Sequence, residues 1–200
     1  MIPEPSPAYP VDFSFDPPEK IANWRPLVNW LLAIPHFAIL YGLQILSRAV
    51  GVISWFVIVF TGKLPESLAN VQVMYLRYTV RTYTFAGFMR EEYPPFGFDT
   101  TATDPGLDPR VRVNVRPELT DRNRLTVFFR IILVIPQIIV VAVLFVAAAV
   151  VTLIAFFAVL FTGRWPAGMR DFVLNVWRWG LRVQVYLMLL TDTYPPFAFV

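Results

Sequence analysis

The chain has 200 residues, of which 56% are hydrophobic and only 16% charged, and its mean hydropathy is +0.56. Soluble domains carry about 25% charge, so the composition argues against an ordinary water-soluble globule. Cysteine is absent, which excludes disulfides, thiolate metal sites and cysteine nucleophiles together. The small basic excess sits beside apolar runs and between aromatic residues, as at a lipid headgroup layer, so no nucleic-acid partner is expected.

The first twenty residues, MIPEPSPAYPVDFSFDPPEK, are proline-rich and acidic, the reverse of a signal peptide, so the first apolar run is expected to remain as a membrane anchor. Within them YPVDFSF (9–15) alternates like a short strand. Residues 27–46 and 49–61 are almost continuously apolar, and no charge falls between Ile131 and Phe161. Runs of about 18 or more apolar residues are the mark of membrane helices.

The chain then repeats itself. Phe60-Thr61-Gly62-Lys63-Leu64-Pro65 returns 101 residues later as Phe161-Thr162-Gly163-Arg164-Trp165-Pro166. At that offset Ile34-Pro35 returns as Ile135-Pro136, Arg77 and Arg81 as Arg178 and Arg182, and Tyr93-Pro94-Pro95-Phe96 as Tyr194-Pro195-Pro196-Phe197. Residues 34–98 and 135–199 share 17 identities in 65 ungapped positions, enough to establish a duplication. The units divide as 1–98, a linker at 99–121 carrying a short strand, and 122–200.

Each unit opens with an apolar stretch of about 35 residues, roughly 52 Å as one helix against a hydrocarbon core of about 30 Å. Two short spans joined by a turn fit that thickness, so hairpins are expected over about 24–61 and 122–161. The first would turn near Ser47-Arg48, the second at Ala147-Ala148-Ala149. Four spans would place every lysine and arginine except Arg48 on one face. The positive-inside rule makes that face cytoplasmic, with both termini on it. The two units would be parallel, related by an axis along the membrane normal.

In each turn, Gly62 or Gly163 caps a helix in left-handed conformation, Lys63 or Arg164 meets the negative end of its dipole, and Pro65 or Pro166 prevents continuation. The phosphate-loop spacing is missing. Amphipathic helices follow over about 66–90 and 168–190. Asp171, Asn175, Arg178 and Arg182 form one narrow stripe, matched in the first unit by Asn70, Met74, Arg77 and Arg81. An arginine at the bilayer centre costs about 2.5–3.5 kcal/mol, so these helices are expected at the interface. Their arginine pairs either anchor the helices, pairing with acids such as Asp171, Glu91 and Asp192, or bind an anionic lipid or a partner.

The linker segment RVRVNVR (110–116) alternates cleanly. YPPFGF (93–98) and YPPFAF (194–199) read either as further edge strands or as aromatic plugs, since consecutive prolines remove ladder donors. The expected fold is therefore mainly α and membrane-integral, with two tandem units of hairpin plus interfacial helix and short β segments on the cytoplasmic side.

The FTG(K/R)xP turn, the arginines spaced by four and the ending Leu190-Thr191-Asp192-Thr193-Tyr194-Pro195-Pro196-Phe197 resemble a bacterial membrane-protein family catalogued as domain of unknown function 4389, in a two-unit form. The resemblance covers residues 12–199. The first unit departs from it at Arg90-Glu91-Glu92. It implies the architecture and brings no activity, catalytic residue or cofactor.

The lone histidine, His36, corresponds to Gln137 in the second unit and reads as a hydrogen-bonded packing residue. Asp12, Asp16, Glu19, Asp99, Asp104 and Asp108 lie in proline-rich connections where solvation is the default. No catalytic constellation, metal cluster or cofactor site assembles from the sequence. The expected function is a non-catalytic accessory or scaffold subunit of a larger complex in the inner (plasma) membrane. An oligomeric channel, transporter or lipid-handling protein is the alternative. Expected partners are membrane lipids and either another protein or further copies of the chain.

Overall fold

A computed structural model describes residues 9–199. Strand β1 (Val11–Phe15) precedes a short helix α1 (Arg25–Leu32), the long helix α2 (Ile34–Thr61) and helix α3 (Glu66–Ala86). The second half repeats the order with β2 (Val111–Val115), α4 (Arg124–Phe128), α5 (Arg130–Thr162) and α6 (Ala167–Leu187). The chain is thus mainly helical with a small sheet, built from two units. Residues 1–8 and 200 lie outside the described residues, and with them the expected placement of the extreme termini.

The expected hairpins are not formed. Helix α2 runs unbroken through Ser47 and Arg48, and α5 runs unbroken through Ala147–Ala149 and past Pro136. Alanine is the strongest helix former, and neither site carries the glycine or proline that a turn between helices needs. Ser47 also points inward, where its hydroxyl donates to Gln72 Oε1 on α3 and its carbonyl accepts from Gln72 Nε2. The antiparallel partner of α2 is α3 rather than its own second half, and α6 partners α5 in the same way.

Four lines of contact fix the layers. Helix α2 packs on α3 and α5 on α6, while β2 covers α3 and β1 covers α6. The molecule therefore stacks as a layer of long apolar helices, a middle layer of α3 and α6, and a sheet layer. The sheet holds two antiparallel strands centred on Phe13 opposite Val113, and both outer edges lack a further strand among the described residues. Phe13, Val111, Val113 and Val115 face the helices and are buried. The YPPF segments do not join the sheet, because two adjacent prolines leave no ladder donors. They act as plugs: the Phe96 ring stacks on His36 at 4.4 Å, and Phe98 on Tyr78 at 5.4 Å.

One stripe of each long helix meets the frame along its full length. It comprises His36, Leu40, Ser47, Val50, Ser54 and Ile58 on α2, and Arg130, Val134, Gln137, Val141, Ala148, Ala155 and Val159 on α5. Apart from Arg48, the remaining surface is largely apolar and open, as at Ile131 (72% exposed) and Phe161 (77% exposed). Both helices are long and apolar enough to cross a membrane.

The units interlock by exchanging contacts. Ile21 N–H donates to Gly163 O at 2.7 Å, and Arg122 N–H, 101 residues on, donates to Gly62 O at 3.1 Å. Each FTG turn is thereby held by the segment that opens the other unit. Gly62 (φ 71°) and Gly163 (φ 67°) take the left-handed conformation expected of them, and each amide closes the last helical turn. Lys63 and Arg164 are exposed, and Pro65 and Pro166 stand at the N-caps of α3 and α6.

Candidate functional site

The pseudo-twofold sorts structural groups from distinctive ones, because a contact made at equivalent positions in both units belongs to the shared frame. Asn29 Nδ2 donates to Phe85 O and Arg90 O. Its equivalent Arg130 donates from Nη1 to Tyr186 O and Thr191 O, the same two carbonyl positions. The Glu91 carboxylate accepts from the Ala22 amide, as Asp192 accepts from the Asn123 amide at 2.7 Å. The Tyr93 hydroxyl donates to Leu32 O and the Tyr194 hydroxyl to Leu133 O, both at 3.2 Å.

His36 fits this pattern. Its Nδ1 lies 2.7 Å from the Tyr78 hydroxyl, and the equivalent Gln137 Oε1 accepts from Trp179 Nε1 at 2.8 Å. Glutamine does in one unit what histidine does in the other, which makes the pair a packing device between long helix and middle helix.

The arginine pairs share one contact and then diverge. Arg77 Nε donates to Val113 O on β2 at 3.0 Å, and Arg178 Nε donates to Phe13 O on β1 at 3.3 Å. Each middle helix is thus pinned to the strand that covers it. In the first unit further donors of the pair are taken up by the linker. Arg77 reaches Thr101 O and Ala102 O, and Arg81 Nη2 meets Asp104 Oδ1 at 3.2 Å. The Asp104 carboxylate also lies 3.9 Å from Arg77 Nε, so one anion serves both cations, and all three side chains are almost fully buried. It accepts the Gly106 and Val113 amides as well. Burial pushes the Arg77 guanidinium below its ordinary value, and Asp104 opposes that shift. Arg77 and Arg81 therefore face an internal carboxylate and not a lipid headgroup, and Asp104 is not a solvated linker acid. The linker folds back over α3 because two adjacent guanidinium groups repel unless an anion lies between them.

Asp108 corrects the sequence reading in the same way. It forms a fully buried ion pair with Arg90 at 2.6 Å, and Arg90 also donates to Arg81 O. In the second unit Asp192 takes Arg122 at 2.7 Å and Arg130 at 2.5 Å, while Glu118 accepts from Thr191 and the Asp192 amide. Asn29, Arg90, Asp108, Arg122 and Arg130 were not legible as buried partners, since charged residues in the linker and at the edges of apolar runs read as solvated and Asn29 as a lone polar residue within a span. The offset itself held a signal for two of them: position 29 is polar inside an apolar run, and so is position 130.

No such carboxylate pairs with Arg178 or Arg182 among the described residues. Arg178 Nη1 donates to Asn175 Oδ1 at 2.8 Å and Arg182 Nη2 to Ala198 O at 2.6 Å, and neither forms an ion pair among the described residues. Burial pushes the Arg182 guanidinium below its ordinary value. A cavity of about 450 Å³ opens beside them, walled by Val11 and Phe13 of β1, by Tyr9, and by Asp12 and Arg116. Asp171, at the start of the expected stripe, is exposed and pairs only with its neighbour Arg170 among the described residues.

A second concavity lies on the opposite side of the middle layer. Thr79, Val80 and Tyr83 of α3 face Trp177, Gly180, Leu181 and Gln184 of α6 across an apolar cleft of about 650 Å³, which Phe145, Ala148 and Thr152 of α5 close on one flank. No group of three or more histidine or acidic side chains placed to hold a metal occurs among the described residues.

A family model described as Domain of unknown function (DUF4389) matches the chain twice, over residues 23–97 and 124–198. Neither the curated proteins nor the solved structures contain a match.

Proposed function

The chain belongs to the DUF4389 family through both of its units, and we propose that it is a non-catalytic membrane protein serving as an accessory or scaffold subunit of a larger membrane complex. The observation that carries this reading is the division of labour between the layers. Buried arginines and acids lock α3, α6, the linker and the sheet into one frame, and the frame presents two long helices whose outward faces are apolar. Contiguous exposed apolar surface on this scale marks a membrane or protein interface.

The loss of the hairpin turns changes how the helices sit. The run from α1 through α2, in which α2 alone is about 42 Å long, begins where α5 ends and ends where the run from α4 through α5 begins, since Asn23 reaches Leu160 O and Arg122 reaches Gly62 O. If the pair crossed the bilayer, the sheet packed against the middle of α3 and α6 would lie at mid-membrane depth. Open sheet edges facing lipid do not occur there. Exposed Arg48, at the midpoint of α2, would also meet hydrocarbon, at about 2.5–3.5 kcal/mol. Laying α2 and α5 along one leaflet removes both costs, with the middle layer at headgroup depth and the sheet in water. The basic frame then belongs on the cytoplasmic side of the inner membrane by the positive-inside rule. This replaces the four-span arrangement, while keeping the pseudo-twofold along the membrane normal.

Single-cysteine labelling tests the seating without background, because the chain contains no cysteine. Cysteines at Lys63 and Arg164, at opposite ends of the long helices, should both react with an impermeant maleimide from the same face, and Val52→Cys should stay protected. Reaction from opposite faces would establish crossing helices. Gentle solubilisation of native membranes tests the scaffold itself: a stoichiometric larger complex is expected, and a lone monomer or homo-oligomer rejects it. A lipid-handling role is the second reading, favoured by the apolar cleft between the units.

A further inference from the structure

The two arginine pairs differ in one respect that the duplication brings into focus. Equivalent residues, at the same place on equivalent helices, each pinned to the covering strand, have a carboxylate between them in one unit and none among the described residues in the other. We propose that the Arg178/Arg182 cavity is an open binding site for a phosphate-bearing ligand, filling from outside the position that Asp104 fills from within in the first unit.

Three observations support this. Arg182 is 4% exposed and lines the cavity, and its Nη2 meets only the neutral Ala198 carbonyl where Arg81 Nη2 meets the Asp104 carboxylate. A guanidinium removed from water to that degree is stabilised by an anion, as its counterpart Arg81 is. At about 450 Å³ the cavity is far larger than a carboxylate requires. Two guanidinium groups spaced one helical turn apart also offer the forked donors that match phosphate oxygens. Tyr9 frames the cavity, its single hydroxyl proton shared between Arg182 O and Thr193 O, and so holds the arginine backbone in place.

The phosphate can arrive on a lipid or free in solution. Leu181 borders both this cavity and the apolar cleft, so a phospholipid could place its headgroup beside Arg182 and an acyl chain across Leu181. The site does not depend on the scaffold reading, because it is defined by the chain's own residues.

The full-length protein in a neutral detergent is the material for the test. Native mass spectra recorded with phosphatidylglycerol, and with phosphatidylcholine as the comparison, report lipid retention. Thermal melts in inorganic phosphate against chloride at equal ionic strength report the free anion, since a ligand of the folded state raises the melting temperature. Retention of about one phosphatidylglycerol in preference to phosphatidylcholine, lowered about tenfold in Arg182→Gln, assigns the site to a headgroup. A rise in melting temperature with phosphate that disappears in Arg182→Gln assigns it to a free phosphate. Arg178→Lys should give an intermediate loss, retaining charge without the fork. If Arg182→Gln does not fold, the wild-type measurements with Arg178→Lys decide the matter. Neither preference nor shift in the wild type overturns the proposal. An equal loss in Asp104→Asn, which touches only the first pair, overturns it too. So does a several-fold gain in Glu4→Gln, which would show that the chain's own N-terminal carboxylate fills the cavity.

Discussion

Asn29 and Arg130 stand at equivalent positions in the two units and clip equivalent carbonyls at and just beyond the end of the middle-layer helix of their own unit, Phe85 and Arg90 in one and Tyr186 and Thr191 in the other. A short amide and a long guanidinium thus perform one task. Arg130 adds to it by stacking 4.0 Å above the Tyr186 ring and pairing with Asp192. Asn29→Ala leaves two buried carbonyls without this donor and should cost about 1–3 kcal/mol. Arg130→Ala should cost more, because Asp192 and the ring contact are affected together. Denaturant melts of the two variants would check the order.

The Arg90–Asp108 pair is sealed from water on both sides. Replacing one member of such a pair strands the other, at about 3–5 kcal/mol. Asp108→Ala should therefore lose most of the protein's stability, and the double variant Arg90→Met/Asp108→Leu should recover a large part. If the double variant is no better than the single, the pair contributes by geometry beyond its own charges.

Acid should weaken the second unit through Asp192. Burial alone would raise its carboxyl, but hydrogen bonds from Arg122, the Asn123 amide and Arg130 outweigh burial and hold it below the ordinary value of 3.8. A depressed folded value means the stabilisation is complete above the unfolded value and is lost as pH falls through the folded one. Melting temperature should therefore drop on acidification below about pH 4, and the drop should be shallower in Asp192→Asn, whose starting stability is lower.

Glycines separate by backbone demand. Gly163 sits at φ 67°, and a Cβ there would lie 2.8 Å from Ile21 O and Asn23 Oδ1, so Gly163→Ala should destabilise by more than about 1 kcal/mol and loosen the contact between units. Gly42, inside α2, has nothing within 4 Å of an added Cβ. Gly42→Ala should be neutral or stabilising by up to about 1 kcal/mol. Parallel thermal melts would read both.

His36→Gln tests the histidine directly. Gln137 already holds the equivalent place with Trp179, so the substitution should retain the Tyr78 contact and change stability by less than about 1 kcal/mol. His36→Leu should cost more, because the Tyr78 hydroxyl loses its partner. Equal losses in both variants would show that the imidazole does something an amide cannot.

The sequence by itself determined the local and repeating features. The duplication, the left-handed glycines, the apolar character of α2 and α5, the middle helices and the strand at 111–115 all follow from periodicity, turn chemistry and a 101-residue offset, none of which needs a distant partner. It misjudged what depends on such partners. The hairpin turn was inferred from a length that exceeds one bilayer crossing, and α3 lying along α2 removes the need for a turn. Asp104 and Asp108 read as solvated because each directly precedes a proline in a polar linker. Only the folded chain brings that linker onto Arg77, Arg81 and Arg90, where removing the guanidinium groups from water makes a buried carboxylate the stable solution. The difference between the two arginine pairs was also decided there: both are written alike in the sequence, and what lies against them is set by the path of the linker through space.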